Sequence, residues 1–510
     1  MRINIFKQSI KQASIFIAVI TVISQLTGLI RESLIASKFG TGEELDILLL
    51  ALAIPWMISN IMFMAIPNAG IPHLQRMNTA AADNKKLPLG FLKINTVIVF
   101  ITAIVVYACL PYFRNLIAPG LNIEQADKLV KFGRIFCLLI PLKAYEGIFR
   151  SLLHIKHHFF FPALTNLAMN IVFIAILITL FPSYSNGAYL VAWLSSVLVQ
   201  MVLVSIPWLL VFAKMKDNDQ EGYFDYSGYS KLFSGIISVE VLGLIIQPFD
   251  RYLAGLYLET GFVSALNYAD IIQSVPLRAL IFSMGAAIFP SLSEKASMND
   301  IRSLSILYRK SLAVCVFLII PISLYGFLYR NEIVSLLLER GRFDATSTAK
   351  TTDVLQYYFF GMIMPAFLYV QARVLYSLKK WKEQAVAKLL GFTIKALIGF
   401  TFILTDWAIA IAVGTISMYV FCFISLELYL KVKIGIKYYR ESFILMGKAL
   451  IGSIIISSII FLCWIVLIDI LNYLVVMIIT AIAGGLCAIV IEMKMKITGM
   501  DLAKYLKLSN

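Results

Sequence analysis

Eight basic side chains lie within apolar segments that are long enough to cross a lipid bilayer. They are Arg31, Arg134, Lys143, Arg251, Arg278, Lys388, Lys395 and Lys448. An arginine or lysine at the centre of a membrane helix costs about 2.5–3.5 kcal/mol on insertion scales, so such residues usually face a hydrated cavity, a charge partner or an anionic ligand. The chemistry open to this set is therefore anion binding inside a membrane. The structural alternative is that basic side chains near helix ends simply extend towards the interface.

The elements that would position these charges are membrane-spanning helices. Hydrophobic residues make up 60% of the 510-residue chain and charged residues 14%, with a mean hydropathy of +0.85, which excludes an ordinary soluble domain. Apolar runs of about 20 residues predict fourteen spans, at approximately 13–37, 46–72, 91–113, 129–152, 162–181, 187–213, 232–258, 264–290, 304–329, 352–378, 385–405, 408–430, 443–468 and 472–493. The predicted fold class is an all-α, polytopic membrane protein.

The distribution of Lys and Arg between the loops predicts the orientation of the chain. If the N-terminus is cytoplasmic, the two tails and alternate loops carry 28 Lys and Arg residues, and the opposite loops carry eight. The positive-inside rule then predicts that both termini are cytoplasmic. The net charge of +15 is mainly an orientation signal, with attraction to anionic membrane lipids as a second effect. Nucleic acid is not needed to explain it.

Other kinds of chemistry have little support in the sequence. The six Cys residues are dispersed without paired spacing, which argues against disulfides and metal sites. His154, His157 and His158 match a spacing used by di-iron enzymes, but four His in the whole chain are too few for such a centre. The chain has no phosphate-binding loop of the ATPase type. We therefore expect no enzymatic activity, no cofactor and no metal.

An internal repeat predicts the arrangement of the spans. The first copy contains Arg31, Gly42, Pro55 and Pro72, and the second contains Arg251, Gly261, Pro276 and Pro290. This spacing predicts an N-terminal lobe at 1–230, a C-terminal lobe at 231–437, and spans 13 and 14 with a cytoplasmic tail at 438–510. Two six-helix lobes of equal topology around a central cavity are typical of transporters that alternate access.

Short motifs along the chain resemble those of one transporter family. They are residues 24–32 (SQLTGLIRE), 39–42 (FGTG) with Asp46, 118–120 (APG), 161–163 (FPA) with Asn166 and Asn170, 250–254 (DRYLA), 264–270 (SALNYAD), 289–293 (FPSLS) and 339–343 (ERGRF). In this order, between residue 10 and about residue 430, they resemble the motifs of the MurJ/MviN-type lipid flippases. Single motifs are weak, but their order and spacing make the resemblance specific.

The resemblance implies that the chain moves undecaprenyl-pyrophosphate-linked peptidoglycan precursor, lipid II, from the inner to the outer leaflet of the cytoplasmic membrane. Arginine suits this cargo because its planar fork donates paired hydrogen bonds to phosphate oxygens. The candidate substrate contacts are Arg31, Arg278, Arg251, Gln25 and Asn60, and the candidate charge partners or gating residues are Asp46, Glu32, Asp250 and Asp270. The resemblance also implies that spans 13 and 14, rich in small residues, hold the long lipid tail.

Three alternatives remain open from the residues. Gln25, Ala53, Ser59 and Ile271 stand where peptidoglycan members of the family usually carry cations, so an O-antigen or other exopolysaccharide unit on the same carrier lipid is an alternative cargo. A cation-coupled multidrug exporter is a second alternative, although a cavity rich in arginine is poorly suited to cationic drugs. Thirdly, Arg31 could pair with Asp46 or Glu32 only to brace the first two spans.

Overall fold

The computed structural model describes residues 10–80, 89–117, 121–155, 158, 160–213, 224–257, 260–279, 283–378, 380–402 and 407–498. All regular secondary structure in these ranges is helical. Two features noted in the sequence lie outside the described residues, the 118–120 motif and His157.

The helices follow the apolar runs closely. They are α1 Ile10–Phe39, α2 Glu43–Ala80, α3 Leu89–Ile117, α4 Ile123–Phe136, α5 Leu139–Ile155, α6 Phe160–Tyr184, α7 Asn186–Ala213, α8 Tyr226–Leu244, α9 Ile246–Tyr257, α10 Phe262–Leu277, α11 Ser283–Ser297, α12 Ile301–Leu328, α13 Arg330–Leu338, α14 Ala345–Gly361, α15 Ile363–Ser377, α16 Trp381–Phe402, α17 Trp407–Tyr429, α18 Arg440–Leu467 and α19 Tyr473–Met495. Ten stretches of the described chain are long and apolar enough to span a membrane, and α14 with α15 form an eleventh that is bent by 48°. Each predicted span coincides with one helix or two consecutive helices, and the all-α, polytopic fold is confirmed.

Polar side chains in the loops define where several helices begin. Asn122 and Gln125 form a reciprocal capping box at the start of α4, which satisfies two backbone N–H groups that the helix itself leaves free. Asp300 and Asp344 cap α12 and α14. Hydrogen bonds from the backbone of Ser347 and neighbouring hydroxyl groups lower the pKa of Asp344 to about 2. This cap therefore stays charged until the solution becomes strongly acidic.

The chain divides into two compact units. The N-terminal unit contains residues 1–264 with 341–343, and the C-terminal unit contains 265–340 with 344–510. The seventh span, formed by α8 and α9, packs against α2 and so belongs to the N-terminal unit. The two repeated lobes of six spans stay a prediction.

A buried charge cluster lies between α2, α5 and α6 in the N-terminal unit. The Glu146 carboxylate, whose side chain is 0% exposed, accepts hydrogen bonds from Lys143 Nζ and Arg150 Nη2, each at 2.8 Å. Arg150 also donates to the Thr165 hydroxyl at 2.8 Å. Both cations lie over the Phe63 ring, at 4.4 and 4.9 Å. One carboxylate and one aromatic ring thus stabilise two embedded cations.

The last two spans are held to the C-terminal unit through α12. Gly452 of α18 packs against Phe317 of α12, and the Tyr325 hydroxyl donates to the Met477 carbonyl of α19 at 3.0 Å. Gly447 of the same α18 faces open space. The small residue at position 452 therefore allows α18 to pack closely against α12, whereas the one at position 447 leaves the surface of α18 uncovered.

A second buried ion pair joins α12 to α17. Arg309, which is 1% exposed, donates to the Glu427 carboxylate and, at 3.0 Å, to the Tyr438 hydroxyl. Tyr308 donates to the other Glu427 oxygen at 2.8 Å. Arg309 lies within the predicted span 304–329 but was not among the eight embedded cations, and the structure adds it, because the second and third turns of α12 are already buried.

We expect Glu146→Gln to destabilise the N-terminal unit strongly. The neutral amide would leave Lys143 and Arg150 without a carboxylate in an apolar environment, and breaking a buried pair in this way costs about 3–5 kcal/mol. The matched control is Glu124→Gln, because Glu124 pairs with Lys128 at the surface with a side chain 77% exposed. Thermal unfolding in detergent should show a large loss of Tm for Glu146→Gln and almost none for Glu124→Gln. An equal loss of Tm in both variants would contradict the role of Glu146 as the partner of two buried cations.

We expect Gly452→Leu to weaken the attachment of α18 to the C-terminal unit. A Cβ atom at Gly452 would lie 3.1 Å from both Ile491 and Phe317, and overpacking of this kind typically costs about 1–3 kcal/mol. Gly447→Leu adds the same side chain on the same helix, where nothing lies within 4 Å. Thermal unfolding should separate the two variants, and a Gly447→Leu chain as unstable as Gly452→Leu would refute the packing argument.

Candidate functional site

The Arg31 side chain is held by polar groups of α1 and α6. Its Nε and Nη2 atoms donate to the same Glu32 oxygen, the Nε bond measuring 3.1 Å, and its Nη1 donates to Asn170 Oδ1 at 3.0 Å. The Asn170 amide nitrogen in turn donates to the Ser24 carbonyl at 2.9 Å and to the Thr27 hydroxyl at 3.2 Å. Of the two partners that the sequence left open for Arg31, Glu32 is the one in contact.

Aromatic rings fix the other side of the same guanidinium group. Its central carbon lies 5.5 Å from the ring centre of Phe173 and 5.4 Å from that of Trp193. Trp193 packs edge-on against Trp56 at 4.7 Å. The rings are supplied by α2, α6 and α7, so these three helices, together with α1, position one cation.

Arg31 still has hydrogen-bonding capacity for a ligand. A guanidinium group has five N–H donors, and the contacts with Glu32 and Asn170 use three of them. One N–H on Nη1 and one on Nη2 remain, and the side chain keeps 14% of its surface exposed. These two donors are available to phosphate or carboxylate oxygens, which bind arginine through charge-assisted hydrogen bonds.

Asp46 caps the first turn of α10. Its carboxylate accepts from Gly261 N at 2.6 Å, from Ser264 N at 2.8 Å and from the Ser264 hydroxyl at 2.7 Å. The side chain is buried, with 8% of the residue exposed. A carboxylate at a helix N-terminus satisfies free N–H groups and interacts favourably with the helix dipole. Asp46 therefore ties α2 to the start of α10.

Backbone contacts between loops surround this cap. Gly261 has φ +98° and Gly341 has φ +64°, values that favour glycine. A side chain at Gly261 would strike the Thr41 carbonyl, and one at Gly341 would strike the Ser37 carbonyl. Arg342 N also donates to that Ser37 carbonyl at 2.9 Å. The loop at residues 40–41 thus contacts both Gly261 and Arg342 within the N-terminal unit.

Arg251 and Asp250 are both buried in α9, at 6% and 9% exposure. Arg251 Nη1 donates to the Leu49 carbonyl of α2 at 3.0 Å. This contact links α9 to the second turn of α2. Arg251 contributes to the structure of the N-terminal unit, and a substrate role for it stays a proposal.

The remaining candidate site residues differ in their surroundings. Gln25 is half-buried on α1, and Asn60 donates its amide to the Trp56 carbonyl one turn earlier at 2.9 Å. Asp270 is half-buried in α10, whereas Arg278 follows Leu277 at the end of that helix and is exposed. Arg278 makes no hydrogen bond or ion pair with a residue that the structure describes.

Two other embedded lysines have structural surroundings. Lys395 of α16 is 1% exposed and donates to the Thr415 hydroxyl of α17. Lys448 is exposed on α18, as expected for a side chain that extends to the interface. Among the described residues, no group of three or more His, Cys, Asp or Glu side chains is arranged to hold a metal ion.

Asn170 is the site residue that the charge-based reasoning missed. Asn166 and Asn170 were noted only as part of a motif, yet they lie one turn apart on α6 and both bind polar side chains of other helices, Asn166 accepting from Gln200 at 3.1 Å and Asn170 from Arg31. Two Asn at i and i+4 in an apolar helix were the available signal, because they share one face.

Comparisons with known proteins agree with this geometry. The family described as Lipid II flippase MurJ matches residues 35–485. A lipid II flippase MurJ from Burkholderia cenocepacia is 26% identical over 67% of this chain and 68% of its own length. A solved structure of lipid II flippase MurJ in an inward closed conformation superposes with a TM-score of 0.77 at 20% identity, covering 94% of this chain and 98% of that chain.

A multidrug resistance MATE family transporter of the MOP superfamily, in an inward-facing conformation, has a similar fold. It superposes with a TM-score of 0.66 at 11% identity, over 81% of this chain and 94% of its own. This likeness concerns the fold alone, whereas the family match covers most of the sequence. The chain belongs to the MurJ lipid II flippase family.

Proposed function

We propose that this protein is a flippase that moves an undecaprenyl-pyrophosphate-linked saccharide, with peptidoglycan lipid II as its cargo, from the inner to the outer leaflet by alternating access. Its place is the bacterial cytoplasmic membrane, with both termini cytoplasmic and anionic membrane lipids as further partners. Family membership supports the flippase activity. The observation that carries the mechanism is Arg31, an embedded arginine with two N–H donors left for a ligand.

The Arg31 environment suits a pyrophosphate that arrives and leaves. Glu32 neutralises and orients the guanidinium group, so the cation needs no other partner when the site is empty. Asn170 fixes the plane of the fork from α6. A pair of phosphate oxygens can then bind the two remaining N–H donors of Arg31 without displacing Glu32. Because Glu32 keeps its share of the guanidinium group, the affinity for the phosphate is limited and the lipid can be released on the other side of the membrane. Arg278, which is exposed, is proposed as a second headgroup contact.

Asp46 is proposed as a gating residue. Its three hydrogen bonds to the first turn of α10 close one end of the N-terminal unit, and alternating access requires that one end opens while the other is closed. Asp250 and Asp270 are proposed as charge partners. The groove for the lipid tail is proposed to run beside Gly447 and Gly485, since nothing lies within 4 Å of the Cβ position at either glycine.

The two possible cargoes, lipid II and an exopolysaccharide unit on the same carrier lipid, differ only in their saccharide. Gln25 stands where peptidoglycan members of the family usually carry a cation, and it is half-buried on the same helix as Arg31. An O-antigen or exopolysaccharide unit shares the pyrophosphate and carrier lipid, so Arg31 serves either cargo. Transport of both lipids must therefore be measured in parallel.

We expect Arg31→Gln/Glu32→Gln to abolish flipping while the protein stays folded. The double substitution removes both members of an ion pair, so no charge is left buried without a partner, but the pyrophosphate loses its charged fork. Translocation of fluorescent lipid II, and of a lipid-linked exopolysaccharide unit, should be measured in proteoliposomes. The expected decrease in rate is about tenfold or more, from charge-assisted hydrogen bonds worth about 1.5–3 kcal/mol each.

The matched control is Arg134→Gln. Arg134 is another embedded arginine, exposed on α4 with its guanidinium group 5.1 Å from the Tyr107 ring, and its loss should leave the flipping rate near wild type. Flipping of both cargoes by the double variant at the wild-type rate would rule out Arg31 as the headgroup contact.

We expect a disulfide between Asp46→Cys and Ser264→Cys to stop transport reversibly. The two positions are joined by hydrogen bonds of 2.7 and 2.8 Å, and a disulfide would prevent α2 and the first turn of α10 from separating. The six native cysteines, which are free in the structure, should first be replaced. Oxidised protein should not flip lipid, and reduction should restore the rate. Undiminished flipping by fully oxidised protein would contradict gating at Asp46.

A further inference from the structure

A basic and aromatic segment connects α17 to α18. It begins with a π-helical turn, Leu430–Ile434, and reaches Arg440 at the start of α18. Arg302, in the first turn of α12, lies beside it, with its guanidinium group 5.5 Å from the ring centre of Tyr439. We call the following residues the basic platform: Arg302, Lys431, Val432, Lys433, Lys437, Tyr438, Tyr439 and Arg440.

Five cations make the basic platform strongly positive, and Asp300 lies close enough to Arg302 to interact with it electrostatically. All five of its cations are exposed, and none makes an ion pair or a hydrogen bond with a residue that the structure describes. The Glu427 carboxylate nearby is already bound by Arg309 and Tyr308. Four like charges on one short segment, with Arg302 beside them, attract an anion more strongly than any single lysine would.

The platform is fixed in place rather than loosely attached. The Arg309 guanidinium group lies 3.7 Å from the ring centre of Tyr438 and donates to its hydroxyl at 3.0 Å. Gly435, with φ +81°, reverses the chain so that Ile436 N donates to the Leu430 carbonyl at 3.0 Å. Ile436 itself is buried at 0% exposure. A preformed cationic surface binds its partner with less loss of conformational entropy.

The position of the platform indicates what kind of anion it binds. It lies between two apolar helices whose surfaces beside it are uncovered, with Phe443 73% and Leu428 55% exposed. Within the platform, Val432 is 71% and Tyr438 is 54% exposed, between the lysines. Apolar and aromatic side chains among Lys and Arg at a helix end are typical of the membrane–water boundary.

We propose that the basic platform binds the headgroup of an anionic phospholipid, with the acyl chains along the exposed faces of α17 and α18. The lysines and arginines contact the phosphate, and Val432 and Tyr438 lie at the level where headgroup meets acyl chain. The site is separate from Arg31 and does not depend on which saccharide the protein carries, so its failure and the failure of the proposed flippase activity are distinguishable.

The test is a lipid titration with the full-length protein in detergent. Binding of fluorescent phosphatidylglycerol and of phosphatidylcholine with the same acyl chains should be compared for wild type and Lys431→Gln/Lys433→Gln/Lys437→Gln. The matched control is Lys131→Gln/Arg134→Gln/Lys231→Gln, which removes three exposed cations on α4 and α8. Inorganic phosphate should be added as a competitor, because a site for free phosphate would be emptied by it at low millimolar concentration. Thermal unfolding checks that both triple variants are folded.

We expect wild-type protein to bind phosphatidylglycerol about tenfold or more tightly than phosphatidylcholine, since each lysine near an anionic lipid contributes roughly fivefold to affinity. The platform variant should lose this preference and the control variant should keep it. Equal losses in both triple variants would mean diffuse attraction by net charge and would overturn the proposal. So would a wild-type protein without preference, or displacement of the lipid by inorganic phosphate.

Discussion

Charges buried in apolar surroundings require polar partners, and this requirement constrains how the helices pack. Some of these partners lie on the same helix as the charge, and others lie on a neighbouring helix, as Glu427 of α17 does for Arg309 of α12. Glu32, Glu146 and Glu427 each bind an arginine or lysine within an otherwise apolar unit. Because an unpaired charge in such surroundings costs several kcal/mol, these contacts fix which faces meet. Apolar packing, in contrast, would tolerate many rotations of one helix against another.

The same requirement shapes the candidate binding site. Arg31 is neutralised by Glu32 and keeps two N–H donors of its guanidinium group for a ligand. Lys143 and Arg150 share one carboxylate and lie against an aromatic ring, which suits them to a structural role. A cation that can bind a ligand therefore differs from a purely structural one in the number of N–H donors that its protein partners leave unused. The residue type alone does not reveal this number.

The sequence was sufficient for the fold class, because this follows from the length and content of apolar runs, and it identified some of the buried cations, such as Lys143 and Lys395. It was also sufficient for the family resemblance, through short motifs with fixed order. It could not separate the roles of the cations. The partner of each charged side chain depends on contacts between residues far apart in the chain, such as Arg31 with Asn170 or Asp46 with Ser264. The hydropathy of a segment does not show which distant residues it contacts. Arg309 was not counted among the embedded cations for a related reason, since the hydropathy near the end of an apolar run does not show whether a charged residue is buried.

The cluster at Lys143, Glu146 and Arg150 also limits the order in which these positions can change over generations. Loss of either cation leaves one positive and one negative charge side by side, a pair that the apolar surroundings tolerate. Loss of the carboxylate first leaves two positive charges facing each other over the Phe63 ring. A lineage that replaces this cluster with neutral side chains must therefore lose a cation before it loses Glu146. A variant that lacks only the carboxylate would be unstable, and selection would remove it.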